Sequence, residues 1–188
     1  MRGRRGRVLL LVLVAVATIA GTAALTAWVI SLDEDDEPVA ATTTPPARQP
    51  TLSATARQLA RRATAIGHVV YWAGPVAGRR YELTTTEDGR AYVRYLPRSV
   101  RAGDPRPRFI TIGTYLLEDA FAITRATSRR ADARRVRAPA GAIAFYTTAR
   151  PQSVYLAYEG SDLQIEVFHP VPRQARRLVE TGKVRPVG

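Results

Sequence analysis

Cysteine is absent from the 188 residues. That removes disulfide staples, a thiol nucleophile, a thiolate metal site and a lipid-modified cysteine together. A domain without them has to stand on its hydrophobic core. Histidine is scarce, with only His68 and His169. Neither lies at a recognisable spacing from another ligand, so no metal centre is expected. Both read as polar residues at element ends. There is no G-x-S-x-G turn to carry a serine nucleophile. Neither G-x-x-x-x-G-K-[ST] nor G-x-G-x-x-G occurs to cradle phosphates. No catalytic residue, cofactor or metal is therefore assigned.

Charge is missing from one long run. Residues 8–30, VLLLVLVAVATIAGTAALTAWVI, are uncharged over 23 positions. About 20 apolar residues suffice to cross a bilayer. Arg2, Arg4, Arg5 and Arg7 precede the run, and Asp33, Glu34, Asp35, Asp36 and Glu37 follow it. Basic flanks stay on the cytoplasmic side, so the N-terminus is expected inside and the rest of the chain outside. A secretory signal core is shorter, about 7–15 residues. Trp28-Val29-Ile30 also prolong the run beyond the small residues Thr22-Ala23-Ala24. The expectation is an uncleaved, single-pass signal anchor in the cell membrane. A basic tail spans 1–7, the transmembrane helix 8–30, an acidic and Thr/Pro-rich linker 31–51, and an extracytoplasmic domain 52–188. The linker composition cannot offset its ordering entropy, so it is expected to be disordered.

Beyond residue 50 the sequence holds 23 Lys and Arg against 11 Asp and Glu, and Lys183 is the only lysine. Such a surplus favours polyanions: anionic lipid or a phosphate-bearing wall polymer. Compositional bias on a solvated surface would give the same balance. The outside location argues against nucleic acid.

The pattern predicts an α+β domain with an antiparallel sheet of about six or seven strands and helices packed on one face. Leu52, Ala56, Leu59, Ala63 and Ile66 form a helical stripe, capped by Ser53 and stopped at Gly67. A second helix is expected from Leu116 to Arg130, and a short third one from Pro172 to Gly182. Asp88-Gly89 between RYELTTT and AYVRYL signals a hairpin. Tyr81 to Pro97 and Val154 to Pro170 align at an offset of 73, which suggests an αβββ internal repeat.

Alternation directs Val69, Tyr71, Tyr81, Leu83, Val93, Ile143, Phe145, Val154, Leu156, Ile165 and Val167 toward the helices. The other face then receives Trp72, Glu82, Tyr92, Arg94, Tyr146, Tyr155 and Glu166. Trp72, Tyr92, Arg94, Tyr146 and Tyr155 make a candidate binding face, since Trp, Tyr and Arg are enriched where proteins dock. Half-exposed strands also favour aromatic residues without a ligand. Glu82 and Glu166 are the one carboxylate pair with the chemistry for glycoside hydrolysis. Arg98, Arg101, Arg106 and Arg108 in RSVRAGDPRPR form a candidate anion-binding loop, because guanidinium groups grip phosphate and carboxylate in bidentate fashion. A second basic cluster comprises Arg129, Arg130, Arg134, Arg135 and Arg137.

VYWAGP, YELTTTEDGRAYVRYLP, ITIGTY, SVYLAYEG and QIEVFHP together resemble a family of single-pass membrane proteins of high-GC Gram-positive bacteria. The resemblance covers about residues 54–186. It implies an architecture and a location, and brings no activity, cofactor or functional residue with it. The expectation is a non-catalytic binding module at the membrane–wall boundary. The alternatives are an accessory subunit docked on a membrane protein and an enzyme acting on wall material.

Overall fold

A computed structural model describes residues 50–188. The basic tail, the uncharged run and all but the end of the linker lie outside the described residues. Among the described residues, no helix is long and apolar enough to cross a membrane.

In chain order the elements are β1 (Thr51–Ser53), α1 (Ala56–Ala63) continued by a 3-10 turn (Thr64–Ile66), β2 (Tyr71–Trp72), β3 (Arg79–Thr85), β4 (Ala91–Pro97) and β5 (Thr111–Leu116). Then come α2 (Ala120–Thr127), β6 (Ala133–Val136), β7 (Ala142–Thr147), β8 (Arg150–Tyr158), β9 (Leu163–Phe168), α3 (Pro172–Glu180) and β10 (Arg185–Pro186). Eight strands form one antiparallel sheet in the order β1-β3-β4-β5-β9-β8-β7-β6, while β2 and β10 pair as a separate ribbon. The α+β class expected from the sequence is present, with more strands than anticipated.

The local signals explain most boundaries. Thr55 accepts from the Gln58 backbone N–H while the Gln58 side chain returns to the Thr55 backbone, a reciprocal cap that starts α1. Ser53 is not the cap, because Thr51–Ser53 pair with Leu83–Tyr81 at the sheet edge. Leu52 is thus a strand residue. Gly67 stops the helical segment at φ 81°, in the left-handed region. The β3–β4 hairpin turns over Thr86–Arg90, with Gly89 at φ 80°. Helix α2 begins later than expected. Leu116 ends β5 opposite Leu163, and Asp119 is the helix cap. Pro172 opens α3 as anticipated.

The main core lies on one face of the sheet. Tyr81, Leu83, Val93, Tyr95, Ile112, Val154, Leu156, Ile165 and Val167 pack there with Leu59 and Ala63 of α1 and with Ala175 and Val179 of α3. The ribbon covers the middle of the same face. The Tyr71 N–H donates to Thr114 Oγ1 at 3.0 Å, and the Ala73 N–H to the Tyr95 hydroxyl at 2.7 Å. All the core residues named here lie within the compact unit Pro45–Gly188.

Helices do not cover one face only. Helix α2 packs on the opposite side, where Gln164 Nε2 donates to Thr124 Oγ1 at 2.9 Å. Strand β7 is buried from both sides, so apolarity alone cannot reveal which way its side chains point. Pairing of Ala144 with Leu156 and of Phe145 with Tyr155 sets the answer. Ala144 and Tyr146 face the main core, whereas Phe145 stacks on Tyr155 on the other face. Val69 is exposed, and Val70 takes the buried place. The internal repeat also fails. The offset of 73 maps Tyr95 onto Phe168, yet Tyr95 faces the core while Phe168 pairs with Ser153 on the other face.

Trp72 belongs to β2, outside the main sheet, and so escapes the alternation argument. It is 4% exposed within the core cluster, edge-on to Tyr81 at 5.6 Å. Its indole Nε1 has no hydrogen-bond partner among the described residues. Trp72→Ala should therefore cost about 3–5 kcal/mol, and Trp72→Phe much less, since no hydrogen bond is lost. Urea denaturation of the 50–188 fragment measures both. Equal costs would refute this account of the indole.

Candidate functional site

The second sheet face is polar and almost entirely enclosed. On β3, Arg80 and Glu82 project from alternate positions, and Arg94 stands opposite Glu82 on β4. Glu82 is only 1% exposed. Its Oε1 accepts from Arg94 Nη1 at 2.6 Å, and its Oε2 accepts from the Gly103 backbone N–H at 2.5 Å. Arg94 Nη2 donates to the Asp104 carbonyl at 2.6 Å, and Arg80 Nη2 to the Val100 carbonyl at 2.7 Å. Three alternating side chains on one face thus hold the 98–108 loop down over the sheet. Phe109 anchors its far end beneath Arg94, with the guanidinium 5.3 Å from the ring centre.

This latch leaves the loop's own guanidinium groups outside. Arg98, Arg101, Arg106 and Arg108 are all exposed. Arg101, Arg106 and Arg108 line a shallow hollow of about 660 Å³ together with Ser99, Gly103 and Asp104. Arg106 is already paired with Asp104, whose Oδ1 accepts from Nε at 2.7 Å. That guanidinium holds the Asp104 carboxyl well below the usual carboxylate range. Arg108 leans on Phe109 at 5.5 Å. Arg98 and Arg101 make no hydrogen bond or ion pair among the described residues. The loop therefore presents a strapped-down scaffold with three guanidinium groups that make no ion pair among the described residues.

Further along the same face, Glu166 on β9 is buried with no ion pair among the described residues. Its Oε2 accepts from the Tyr115 hydroxyl at 2.5 Å, and its Oε1 from Ser153 at 2.6 Å and from Tyr155 at 3.4 Å. Gly113 creates the room. A Cβ there would meet the Tyr115 hydroxyl at 2.7 Å, so the ring can fold over this backbone only where the side chain is missing. Tyr92 meets Tyr115 edge-on at 5.9 Å. Burial pushes Tyr92 up to about 12 and holds Tyr115 and Tyr155 well above the usual phenol value, and the Glu166 charge adds to all three.

The expected binding face is therefore split. Tyr92, Arg94 and Tyr155 do share a side, but Tyr92 and Tyr155 are buried and Arg94 is committed to the latch. Trp72 and Tyr146 lie on the main-core side, Tyr146 under the Arg176 guanidinium at 5.0 Å. The carboxylates do not cooperate either. Glu82 and Glu166 stand on strands separated by β4 and β5. Three strand spacings separate them by about 14 Å across the sheet alone, and Glu166 is also two residues along from the position level with Glu82, so they lie beyond the roughly 5–9.5 Å that glycoside hydrolysis requires. The second basic cluster is scattered, with Arg134 and Arg135 on edge strand β6 and Arg130 paired with Asp132 at 3.3 Å. His68 Nε2 lies 2.7 Å from the Gly89 carbonyl, and His169 Nδ1 accepts from the Val171 N–H. Among the described residues, no group of three or more His or acidic side chains could hold a metal ion.

No protein-family model matches the chain, and no curated protein or solved structure does.

Two outcomes follow from this face. Arg94→Met strands the buried Glu82 charge and should cost about 3–5 kcal/mol. Adding Glu82→Gln should recover part of that loss, and limited proteolysis should cut the 98–108 loop faster in the single variant. Denaturation of the two variants checks the coupling, and additive losses would refute it. The tyrosines set an alkaline limit. The fold favours their neutral phenols, so that stability is complete below the unfolded phenol value of about 10 and is lost as pH rises toward the native values. Melting temperature should fall above that pH, with phenolate absorbance rising at unfolding. Ionisation of Tyr92, Tyr115 and Tyr155 near 10 in the folded protein would contradict their burial.

Proposed function

We propose that the protein is a membrane-anchored, extracytoplasmic and non-catalytic module that binds phosphate-bearing polyanions at the membrane–wall boundary. The observation that carries the reading is the latched 98–108 loop. A buried carboxylate and two arginines hold its backbone, while Arg98, Arg101 and Arg108 face solvent and make no ion pair among the described residues. Preorganised guanidinium groups lose little entropy on meeting an anion, and phosphate matches their donor geometry. The shallow hollow suits a chain of repeating anionic groups better than an enclosed small molecule. Membrane attachment is supported by the uncharged 8–30 run and the charge contrast across it.

The separated and fully hydrogen-bonded carboxylates give no support to the hydrolase alternative. The accessory-subunit alternative rests on recognition through the span or through an aromatic sheet face; on that face Tyr92 and Tyr155 are buried, which leaves the span, outside the described residues, as its support.

Replacing Arg98, Arg101 and Arg108 by Glu should weaken binding of the 50–188 fragment to inorganic polyphosphate at least tenfold. It should also flatten the salt dependence, since exposed charges beyond about 10 Å are screened at 0.1 M salt. Fluorescence titration at low and high salt reads both effects. Unchanged affinity would remove the loop from the function. Protease treatment of intact cells carrying a C-terminal tag tests the orientation, and a protected tag would overturn the outside assignment.

A further inference from the structure

The charges of the domain are segregated between its two faces. The outer layer over the main core consists of α1 above β1 and β3, the ribbon above β5, and α3 above β8 and β9. Its exposed side chains include Arg57, Arg61 and Arg62 on α1, Arg173 and Arg177 on α3, and Arg185 on the ribbon. Lys183 adds to these just before β10. Glu180 is the only acidic residue in the three elements. The ion pairs among the described residues, at Arg90, Arg94, Arg106 and Arg130, all lie elsewhere. The amphipathic pattern of α1 and α3 explains the layout: each turns alanine, leucine or valine inward and is left with arginine outward.

A polar helix surface ordinarily mixes both signs, which relieves like-charge repulsion. Here Glu180 is the single acid against seven basic residues, and no ion pair to any of them is formed among the described residues. Beside the ribbon, Gly74, Lys183 and Arg185 line a recess of about 280 Å³. The Arg185 guanidinium lies beside Gly74, whose φ of 75° favours glycine there.

We propose that this α1–ribbon–α3 face docks on the anionic surface of a lipid bilayer. Two observations select lipid. The face opposes its positive charge to an extended surface rather than to a single pocket, with a recess suited to one headgroup phosphate. The chain also supplies the proximity. Residues 31–50 separate the uncharged run from β1, the element directly before α1. Twenty such residues reach at most about 70 Å, which keeps a tethered domain at an effective concentration near the millimolar range. This inference rests on the membrane-anchored reading and adds a second surface to it. The 98–108 loop lies over the opposite sheet face. A domain lying on its helices would therefore hold the loop outward, toward the wall polymer.

The test uses the 50–188 fragment, which holds nearly all of one compact unit, in co-sedimentation with vesicles of phosphatidylglycerol mixed with phosphatidylcholine. Each basic residue held against such a surface contributes about fivefold to partition. Wild type should bind at low salt, release at high salt and ignore vesicles of phosphatidylcholine alone. Changing Arg57, Arg61, Arg173 and Arg177 to Glu should lower vesicle binding at least tenfold and leave polyphosphate affinity intact. The milder four-fold change to Gln guards against misfolding and should give the same direction. The Arg98/Arg101/Arg108 variant should behave oppositely. Vesicle binding that survives the helix changes, or that falls as much with the loop changes, overturns the proposal. A 31–188 fragment that ignores vesicles while 50–188 binds them would assign the face to the acidic run 33–37 and also overturn it. Fractionation of the full chain separates the two ideas. Membrane residence without vesicle binding by the fragment refutes this inference alone, and a soluble full chain refutes the anchoring alone.

Discussion

Glu82 lies inside a sheet that is covered on both sides, so its charge has to be answered within the fold. Arg94 answers half of it and the Gly103 N–H the other half. A buried pair of this kind contributes little net stability compared with a well-packed apolar pair. Its contribution is positional. With the carboxylate satisfied by a backbone group of the loop, the loop has one place to be, and Arg80 and Arg94 fix two more of its carbonyls. The same face repeats the solution at Glu166 with hydroxyl donors in place of a cation. One side of the sheet is therefore held by dispersion and apolar burial, the other by hydrogen-bonded charges.

Several parts of this arrangement were legible in the sequence. The Asp88-Gly89 hairpin, the Gly67 stop and Pro172 as a helix start each rest on backbone chemistry local to a few residues. The α+β class followed from the same local signals. The short elements were not legible. Strands β1 and β10 hold three and two residues, too few to show alternation. Their partners lie about 30 and 114 positions away in sequence.

The binding face failed for a related reason. Alternation says which residues share a side of a strand, but not whether something covers that side. Phe145 and Ala144 are both buried, so period two carries no information along β7. Trp72 was assigned to a sheet it does not join. The exposure of the loop arginines, by contrast, is legible in composition alone, since a segment with three glycine or proline residues among its charges has little means of burying them. What composition could not show is that Asp104 claims Arg106 and leaves the others unpaired. Nor could it show that the helical arginines gather on one side, because that depends on α1 and α3 packing on the same sheet face.

The middle of the sheet has an implication for how the chain reaches this state. Strands β3, β4 and β5 form one meander and β7, β8 and β9 another, and the two meet only where β5 pairs with β9. Residues of both halves intermingle in the main core. Neither meander can close that core by itself, and joining them means bringing Thr111 to Phe168 across the intervening hairpins. Loop closure over such a separation comes before the contacts that reward it. Pairing of β5 with β9 is thus the long-range closure on which the folding rate should depend. A chain with that pair unmade leaves the apolar face of each half open to solvent, and without cysteine no disulfide can fix the register beforehand.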